Sequence, residues 1–445
     1  MIKTYENTLR KMANWQNVEC LLSMRLPISI LIFIYVKNCP YTFKTCYFFA
    51  INPCDVKNNH DICKEIAHQN DNLTMKKTRF CLVAMLAVVA VFSLSFRNFN
   101  RPSDTRYAVY AMAFYNLENL FDTIHDVVMA EVDGQMVKVE DKNDYEYLPD
   151  GANKWGTMKY KAKLKNMSEA LARLATDEES RVRLPMGPAI IGVSEIENRR
   201  VLEDLVAQPA LKERNLQIIH EEGPDRRGVE CAFLYNPKLF KYKGHSLVPY
   251  IYPNNDQTHR TRGFLIAEGQ IGGEDVYCIV CHWPSRMAVS FYREHAGVQV
   301  RAVKDSLLQV NPKAKIFIMG DMNDDPDDKS MAVSLGAKRT PRECKEHDLY
   351  NPWWDLLRRS GVGTLKYNGN WNLFDQIVFT GNLLNTEQPT SLTFYRTEVF
   401  NRNFLTQQEG KYKGYPKRTH AGGVWLNGYS DHYPVIIYLR KPVSQ

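Results

Sequence analysis

Short apolar runs rich in Val, Ile, Tyr and Phe recur from about Tyr107 to Leu439 and alternate with segments of helical period. YAVYAMAF (107–114), PAIIGVSE (188–195), LQIIH (216–220) and CAFLYN (231–236) read as strands, as do VYCIVCH (276–282), KIFIMGD (315–321), FDQIVFT (374–380) and PVIIYL (434–439). Between them Leu164, Met167, Leu171 and Leu174 recur every three or four residues, as do Ala296, Val300, Val303 and Leu307, which predicts two amphipathic helices. The pattern is α/β, with two sheets packed together and helices outside. No proline-rich or low-complexity linker divides it, and no internal repeat is visible. The polar stretches 131–157 and 400–428 read as long loops or insertions, where a rigid scaffold usually carries its specificity.

The first hundred residues differ from the rest. Met75-Lys76-Lys77-Thr78-Arg79 precedes the apolar run FCLVAMLAVVAVFSLS, a basic start and hydrophobic length that predict a signal peptide over 75–95. The run is short for a membrane span. Ser93 and Ser95 suit cleavage after Ser95, and no Cys follows for lipid attachment. An export signal works at a chain's start, so residues 1–74 read first as an extension from a start codon assigned too far upstream, and as the alternative a real N-terminal extension with the 80–95 run as an internal anchor. The remaining 96–445 is then one domain of an exported protein, periplasmic or extracellular.

Charge and cysteine counts change meaning once that region is set aside. The whole chain carries +7, but residues 96–445 hold 46 Lys+Arg against 44 Asp+Glu, a net of +2. A strong basic footprint for nucleic acid is missing. Four of ten cysteines remain, Cys231, Cys278, Cys281 and Cys344, too few for a disulfide framework. Cys278 and Cys281 have C-x-x-C spacing inside a strand-like run with no second pair nearby, which favours core packing over metal or redox chemistry.

The strands share a habit of ending in acid, amide or imidazole groups. YAVYAMAF runs into Asn116 and Glu118, PAIIGVS into Glu195 and Glu197, VYCIVC into His282, and KIFIMG into Asp321 and Asn323; Asp375 and the pair Asp431-His432 stand beside the last two strands. Sites in α/β sheets form where strand ends converge. Singly, each group suits a solvated turn or a structural histidine. Together they supply carboxylates for a hard cation such as Mg²⁺, amides to orient an oxyanion, and two histidines with carboxylates to fix their tautomers. That inventory matches metal-assisted attack of water on a phosphate ester. Asp324 and Asp325 read as a solvated turn before Pro326.

The ordered motifs FYNLEN, GVSEIEN, DRRGVECAFLY, CHWPSR, IMGDMND, FDQIVF and GYSDHYPV resemble the endonuclease/exonuclease/phosphatase superfamily, the deoxyribonuclease I-like proteins, over residues 107–440. The resemblance implies a four-layer sandwich of two mixed sheets between helices. It implies Glu195 as main metal ligand, with Glu118 and Asp431 adding carboxylate charge near the ion. Asp321 would activate the attacking water, Asn323 would hold a phosphate oxygen, and Asn116 would join the same hydrogen-bond shell. His432 would donate to the phosphate with Asp375 on its far nitrogen, and His282 would be the second donor, with Glu230 as its partner. Met322 would face inward between Asp321 and Asn323 in a strand alternation. The metal would be Mg²⁺, with Mn²⁺ or Ca²⁺ as alternatives.

One fold hosts many substrates. Arg227 and Arg286 are the candidate phosphate forks among four arginines that neighbour the motifs. A nuclease or general phosphodiesterase ranks first, a phosphatase on a soluble monoester such as an inositol phosphate second, with 400–428 closing its pocket through Lys411, Lys413, Lys417 and Arg418. A lipid phosphodiesterase of the sphingomyelin-cleaving kind ranks third, with Trp353 and Trp354 as an apolar lip that reads more readily as core. A binding module that lost its chemistry is disfavoured, since no member of the catalytic set is missing. The partners expected are a phosphoester substrate and nucleic acid, with no stable protein partner and a monomeric state.

Overall fold

The computed structural model describes residues 106–256, 258–367, 369–384 and 390–443, together with three strands near the N-terminus. Those strands, Val18–Leu26, Ser29–Val36 and Tyr47–Ile51, pair antiparallel in one sheet and belong to a unit of their own, residues 1–103. The expected signal segment 75–95 lies outside the described residues.

In the second unit, residues 104–445, β1 (Tyr107–Leu120) is followed by α1 (Thr157–Arg173), β2 (Ile190–Ile196), α2 (Arg199–Val206), β3 (Gln217–His220) and β4 (Glu230–Tyr235). Next come β5 (Phe240–Val248), β6 (Phe264–Ile271), β7 (Glu274–His282), α3 (Ser290–Val310) and β8 (Lys315–Asp321). The two-residue strands β9 (Ala337–Lys338) and β10 (Leu349–Tyr350), α4 (Trp354–Ser360), β11 (Asp375–Thr380), β12 (Thr393–Val399) and β13 (Val435–Pro442) complete it.

One sheet has the order β12-β13-β1-β2-β4-β3 and the other β5-β6-β7-β8-β11-β10-β9. Both are mixed: β1 with β2 and β7 with β8 are parallel, while their outer neighbours are antiparallel. The sheets meet face to face through Met112, Phe114, Ile190 and Phe233 on one side and Cys278, Val280, Phe317, Met319 and Phe379 on the other, all inaccessible to solvent. Contact is close at Gly192, where an added Cβ would sit 2.7 Å from the Met319 sulfur. α1 covers the first sheet with Leu164, Met167, Ala170 and Leu171. α3 covers the outer face of the second with Ala296, Val300 and Leu308 over Ile316, Ile318 and Ile279. The architecture is the expected four-layer α/β sandwich.

The eight strands read from the sequence are present, and the two large sheets hold five more that were not anticipated, β5, β6, β12 and the two-residue β9 and β10. β5 and β12 lie at sheet edges, largely in contact with solvent and punctuated by Lys, Arg and Glu, so they lack an apolar run. β6 pairs between β5 and β7. The stretch 131–157, expected as loop, contributes one arm of a hairpin: Val127–Val132 pairs antiparallel with Gln135–Asp141, turning at Asp133-Gly134 with positive φ at both residues. Cys278 and Cys281 are buried on opposite faces of β7, one between the sheets and one beneath α3, so they cannot bind one ion. Trp353 is core, its indole N–H donating to the Ile377 carbonyl at 2.9 Å.

Candidate active site

Strand register places polar ends in a row. His282 stands opposite Asp321 across the parallel β7/β8 pair, and Asp321 stands opposite Asp375 across the antiparallel β8/β11 pair. Gly320 makes the first pairing possible, because a Cβ there would fall 2.1 Å from the Cys281 carbonyl oxygen. In the facing sheet, β1 and β2 bring Asn116 and Glu195 to the same rim, and Asp431 and His432 precede β13 beside β1. Parallel strands contribute their last residues here and antiparallel strands their first, so one rim collects groups from six strands.

The backbone is bent to aim these groups. Glu118, Asn119, Glu195 and Asn323 have φ of 46°, 54°, 57° and 51°, a left-handed conformation that side chains other than glycine seldom adopt and that concentrates at functional sites. Four of the eleven such residues among those described therefore lie on this one rim. The register slips between Ser194 and Ile196, so Glu195 is lifted out of its strand by a bulge. Asn198, three residues past Glu195, then caps α2 by accepting from the Val201 N–H at 3.1 Å, which starts that helix directly after the bulge.

Asp321 lies at the centre, 2% exposed. Its Oδ2 accepts from Asn116 Nδ2 at 3.0 Å, and its Oδ1 from the Asn323 N–H at 2.9 Å. The same Oδ2 is 3.7 Å from His282 Nε2 and 3.9 Å from His432 Nε2. Burial raises the Asp321 carboxyl to about 7, opposed by the charge on His432. His432 Nδ1 meets Asp375 Oδ2 at 2.7 Å. Burial works against the imidazolium, but Asp375 and Asp321 outweigh it and hold His432 well above the ordinary histidine range. His282 is the opposite case: burial, reinforced by Arg262 and Arg227, holds it well below that range. The surroundings thus push the two imidazoles in opposite directions, His432 toward its cationic form and His282 toward its neutral form. Ser430 ties the two sides together, donating its hydroxyl to the Asn116 carbonyl at 2.7 Å and accepting from the His432 N–H at 3.1 Å.

The carboxylates expected around a cation divide into two kinds. Glu195 Oε2 accepts from the Asn119 N–H at 3.1 Å, while its Oε1 is 3.7 Å from His282 Nε2, beyond hydrogen-bond distance and open to a ligand. Glu118 has both oxygens engaged, by Arg418 Nε at 3.0 Å and the Thr419 N–H at 2.6 Å. Arg418 also reaches Asp431 at 3.0 Å. Burial and the neighbouring Asp431 raise Glu118 to about 7. Beneath this pair, Lys163 of α1 is buried and donates to Thr419 Oγ1 at 2.6 Å and the Tyr429 carbonyl at 2.5 Å. Asp321, Asp375 and His432 are the one group among the described residues with three possible ligand atoms within 4.8 Å of one another. Two of these are bonded to each other, so the free Glu195 oxygen and half-exposed Asp431 are the better hard-oxygen donors.

Several expectations change. Glu230 and His282 do not pair: Glu230 Oε1 and His282 Nδ1 are both buried without a hydrogen-bond partner, and the other Glu230 oxygen packs over Gly223. Arg286 is engaged by acids, reaching Asp328 at 2.7 Å, Asp324 at 3.4 Å and Asp325 at 3.6 Å while lying over the Phe374 ring. It braces the Asn323 carbonyl at 3.1 Å and is no free phosphate fork. Arg227 is exposed at the rim and donates to Asn119 Oδ1 at 3.2 Å. Asp324 and Asp325 are no solvated turn but are 4% and 6% exposed: Asp324 takes Ser330 and Arg293, and Asp325 takes the Leu373 N–H. Asn323 follows the end of β8 in a left-handed turn, so its aim owes nothing to strand alternation, although Met322 is buried as expected. Its Nδ2 donates to the Trp283 carbonyl at 3.0 Å, leaving one amide hydrogen for a ligand. Sequence reasoning assigned no role to Lys163, Ser430 or the Arg418 bridge; only the basic residues of 400–428 hinted at the last.

The family model described as "Endonuclease/Exonuclease/phosphatase family" matches residues 111–441. The chain belongs to the endonuclease/exonuclease/phosphatase family. Enzymes of this family depend on divalent metal, and this member is a hydrolase acting on phosphoester bonds. The family member is similar to a truncated TDP2 from Caenorhabditis elegans, at 16% identity and a TM-score of 0.40 over 63% of this chain and 92% of that one. It is also similar to a family protein from Bacteroides thetaiotaomicron, at 14% identity and a TM-score of 0.42 over 76% and 100% of the respective chains. The human Nocturnin catalytic domain is similar at 15% identity, with a TM-score of 0.35 over 57% and 80%. No curated protein matches the chain.

Proposed function

We propose that this protein is a metal-dependent phosphodiesterase cutting polynucleotides, exported from a bacterial cell and acting as a monomer. The observation that carries the reading is Asp321, a buried carboxylate held by Asn116 and the Asn323 N–H with one oxygen 3.7 Å from His282 and 3.9 Å from His432, its carboxyl raised by burial. Near neutral pH such a group can accept a proton from water. Water attacks phosphorus in line and passes its proton to Asp321, while His432, oriented by Asp375, protonates the departing oxygen. Asn116 and the Asn323 N–H keep Asp321 in place, and His282 with the free Asn323 amide hydrogen steadies a nonbridging oxygen. Preorganised donors of this kind carry much of the barrier reduction in phosphoryl transfer. Glu195 and Asp431 would hold the divalent cation, Mg²⁺ or in its place Mn²⁺ or Ca²⁺, with Glu118 acting through Arg418. When bound, that cation neutralises charge developing on phosphate oxygens.

Purified protein is assayed against duplex DNA, single-stranded RNA, sphingomyelin and inositol phosphates with Mg²⁺ or EDTA. Polynucleotide products that vanish with EDTA and fall about a thousandfold or more in Asp321→Asn, at an unchanged unfolding midpoint, are expected. Release from only a small or lipid phosphoester would transfer the protein to that class. N-terminal sequencing of native protein tests the export reading, which requires a start near Phe96.

A further inference from the structure

Rings and amines run outward from the catalytic histidine in one unbroken series. Tyr433, next to His432, is stacked by Trp371 at 5.9 Å between centroids. Lys366 Nζ lies 5.4 Å from the centre of the Trp371 ring and 4.7 Å from that of Tyr415, bridging a hairpin to the 400–428 segment. Tyr415 meets Tyr412 edge to face at 5.5 Å, and Lys411 Nζ lies 5.5 Å from the centre of the Tyr412 ring. Tyr367 and Tyr412 are 64% and 50% exposed.

The two segments that carry the series are tethered to the site by hydrogen bonds and ion pairs. Thr364, at the foot of the hairpin, accepts from the Asp375 N–H through its hydroxyl and from the Tyr433 N–H through its carbonyl. The 411–418 segment is braced by Gln407 N–H to Tyr415, Gly414 N–H to Gln407 and Lys417 N–H to Leu405, and it ends at Arg418 on Glu118 and Asp431. Residues 400–428 carry Arg402, Lys411, Lys413, Lys417 and Arg418 against the single acid Glu409. Among the described residues, no carboxylate lies within 4.0 Å of Lys366, Lys411, Lys413 or Lys417. Residues 96–445, near neutral as a whole, thus concentrate unpaired positive charge at one lip of the site.

Alternating flat rings and unpaired amines match the alternation of bases and phosphates along a single strand. Within 411–418 the side chains are Lys, Tyr and Arg, apart from two small backbone-setting residues, Gly414 and the buried Pro416; nothing aliphatic is offered to a lipid interior. We propose that Lys366, Tyr367, Trp371, Lys411, Tyr412 and Tyr415 form a ledge that binds single-stranded polynucleotide leading into the active site. This rests on the polynucleotide reading above and adds where and how the strand is held.

The test compares Lys366→Ala, Tyr412→Ala and the double variant with the parent protein on a labelled oligothymidylate and on bis(p-nitrophenyl) phosphate. The ratio of kcat/KM for oligonucleotide to that for the small diester falls about tenfold per lost ring. Removing Lys366 also lowers the salt slope of oligonucleotide binding by about 0.7, measured by anisotropy in the Asp321→Asn background. A parent that cuts the oligonucleotide while the ratio and slope stay fixed in every variant overturns the ledge and leaves the proposed function standing. A parent that hydrolyses the small diester but neither cuts nor binds oligonucleotide overturns both. Loss of binding to phosphatidylglycerol vesicles in the variants, with oligonucleotide cleavage intact, would make the ledge a membrane contact and end the proposal.

Discussion

At the scale of single residues, burial decides chemistry that identity leaves open. Asp321, Asp324 and Asp325 belong to one short acidic run, yet Asp321 faces two imidazoles while the next two are consumed by Ser330, Arg293 and the Leu373 N–H. His220 shows the same dependence away from the site. It ends β3 with Nε2 lacking a hydrogen-bond partner, and burial, with Lys142 adding to it, lowers it to about 4. The folded value is below that of the unfolded chain, so the unfolded chain binds the proton more readily. Stability from this group is complete above about pH 6.5 and declines toward pH 4, by up to roughly 3 kcal/mol. Urea unfolding at pH 7 and pH 5 should show a smaller loss in His220→Gln than in the parent; equal losses would exclude His220 as the cause.

At the scale of elements, two neighbouring strands carry the constraint. β7 and β8 run parallel with His282 beside Asp321, and Gly320 is what allows the approach, its missing Cβ lying against the Cys281 carbonyl. Backbone cannot give way as a flexible side chain can. Gly320→Ala should therefore cost about 3 kcal/mol of unfolding free energy and displace Asp321, lowering turnover more than population of the folded state explains. Circular dichroism melts combined with single-turnover rates on the folded fraction separate the two effects. Helices contribute differently. α1 buries Leu164 and Met167 against its sheet and also sends Lys163 into the 400–428 segment, so a core helix holds an active-site loop.

At the scale of the whole molecule, the rim gathers carboxylates that repel one another and groups that offset them. Burial raises Asp321 and Glu118, and Arg418, Lys163 and His432 supply countercharge. A divalent cation bound to the folded state alone should raise the melting temperature with concentration, by about 2.7 kcal/mol of stability at one hundred times its dissociation constant. Glu195→Gln should remove most of that rise without altering the metal-free melt. A rise that persists in the variant would place the cation elsewhere.

The sequence by itself determined the layers and most of the polar residues that meet at the rim. Its apolar runs have the length and spacing of buried strands and helices, and polar residues that interrupt such runs repeatedly at one end must share an edge. Edge strands β5 and β12 escaped because exposure removes the apolar signal. Pairing and aim were decided only by the tertiary structure, because they depend on atoms brought together from distant parts of the chain. Arg418 meets Glu118 across 300 residues, Lys163 meets Thr419 across 256, Arg286 turns to acids, and Glu230 and His282 remain apart. Periodicity records which way a side chain faces within its own element, and it holds no record of what stands opposite.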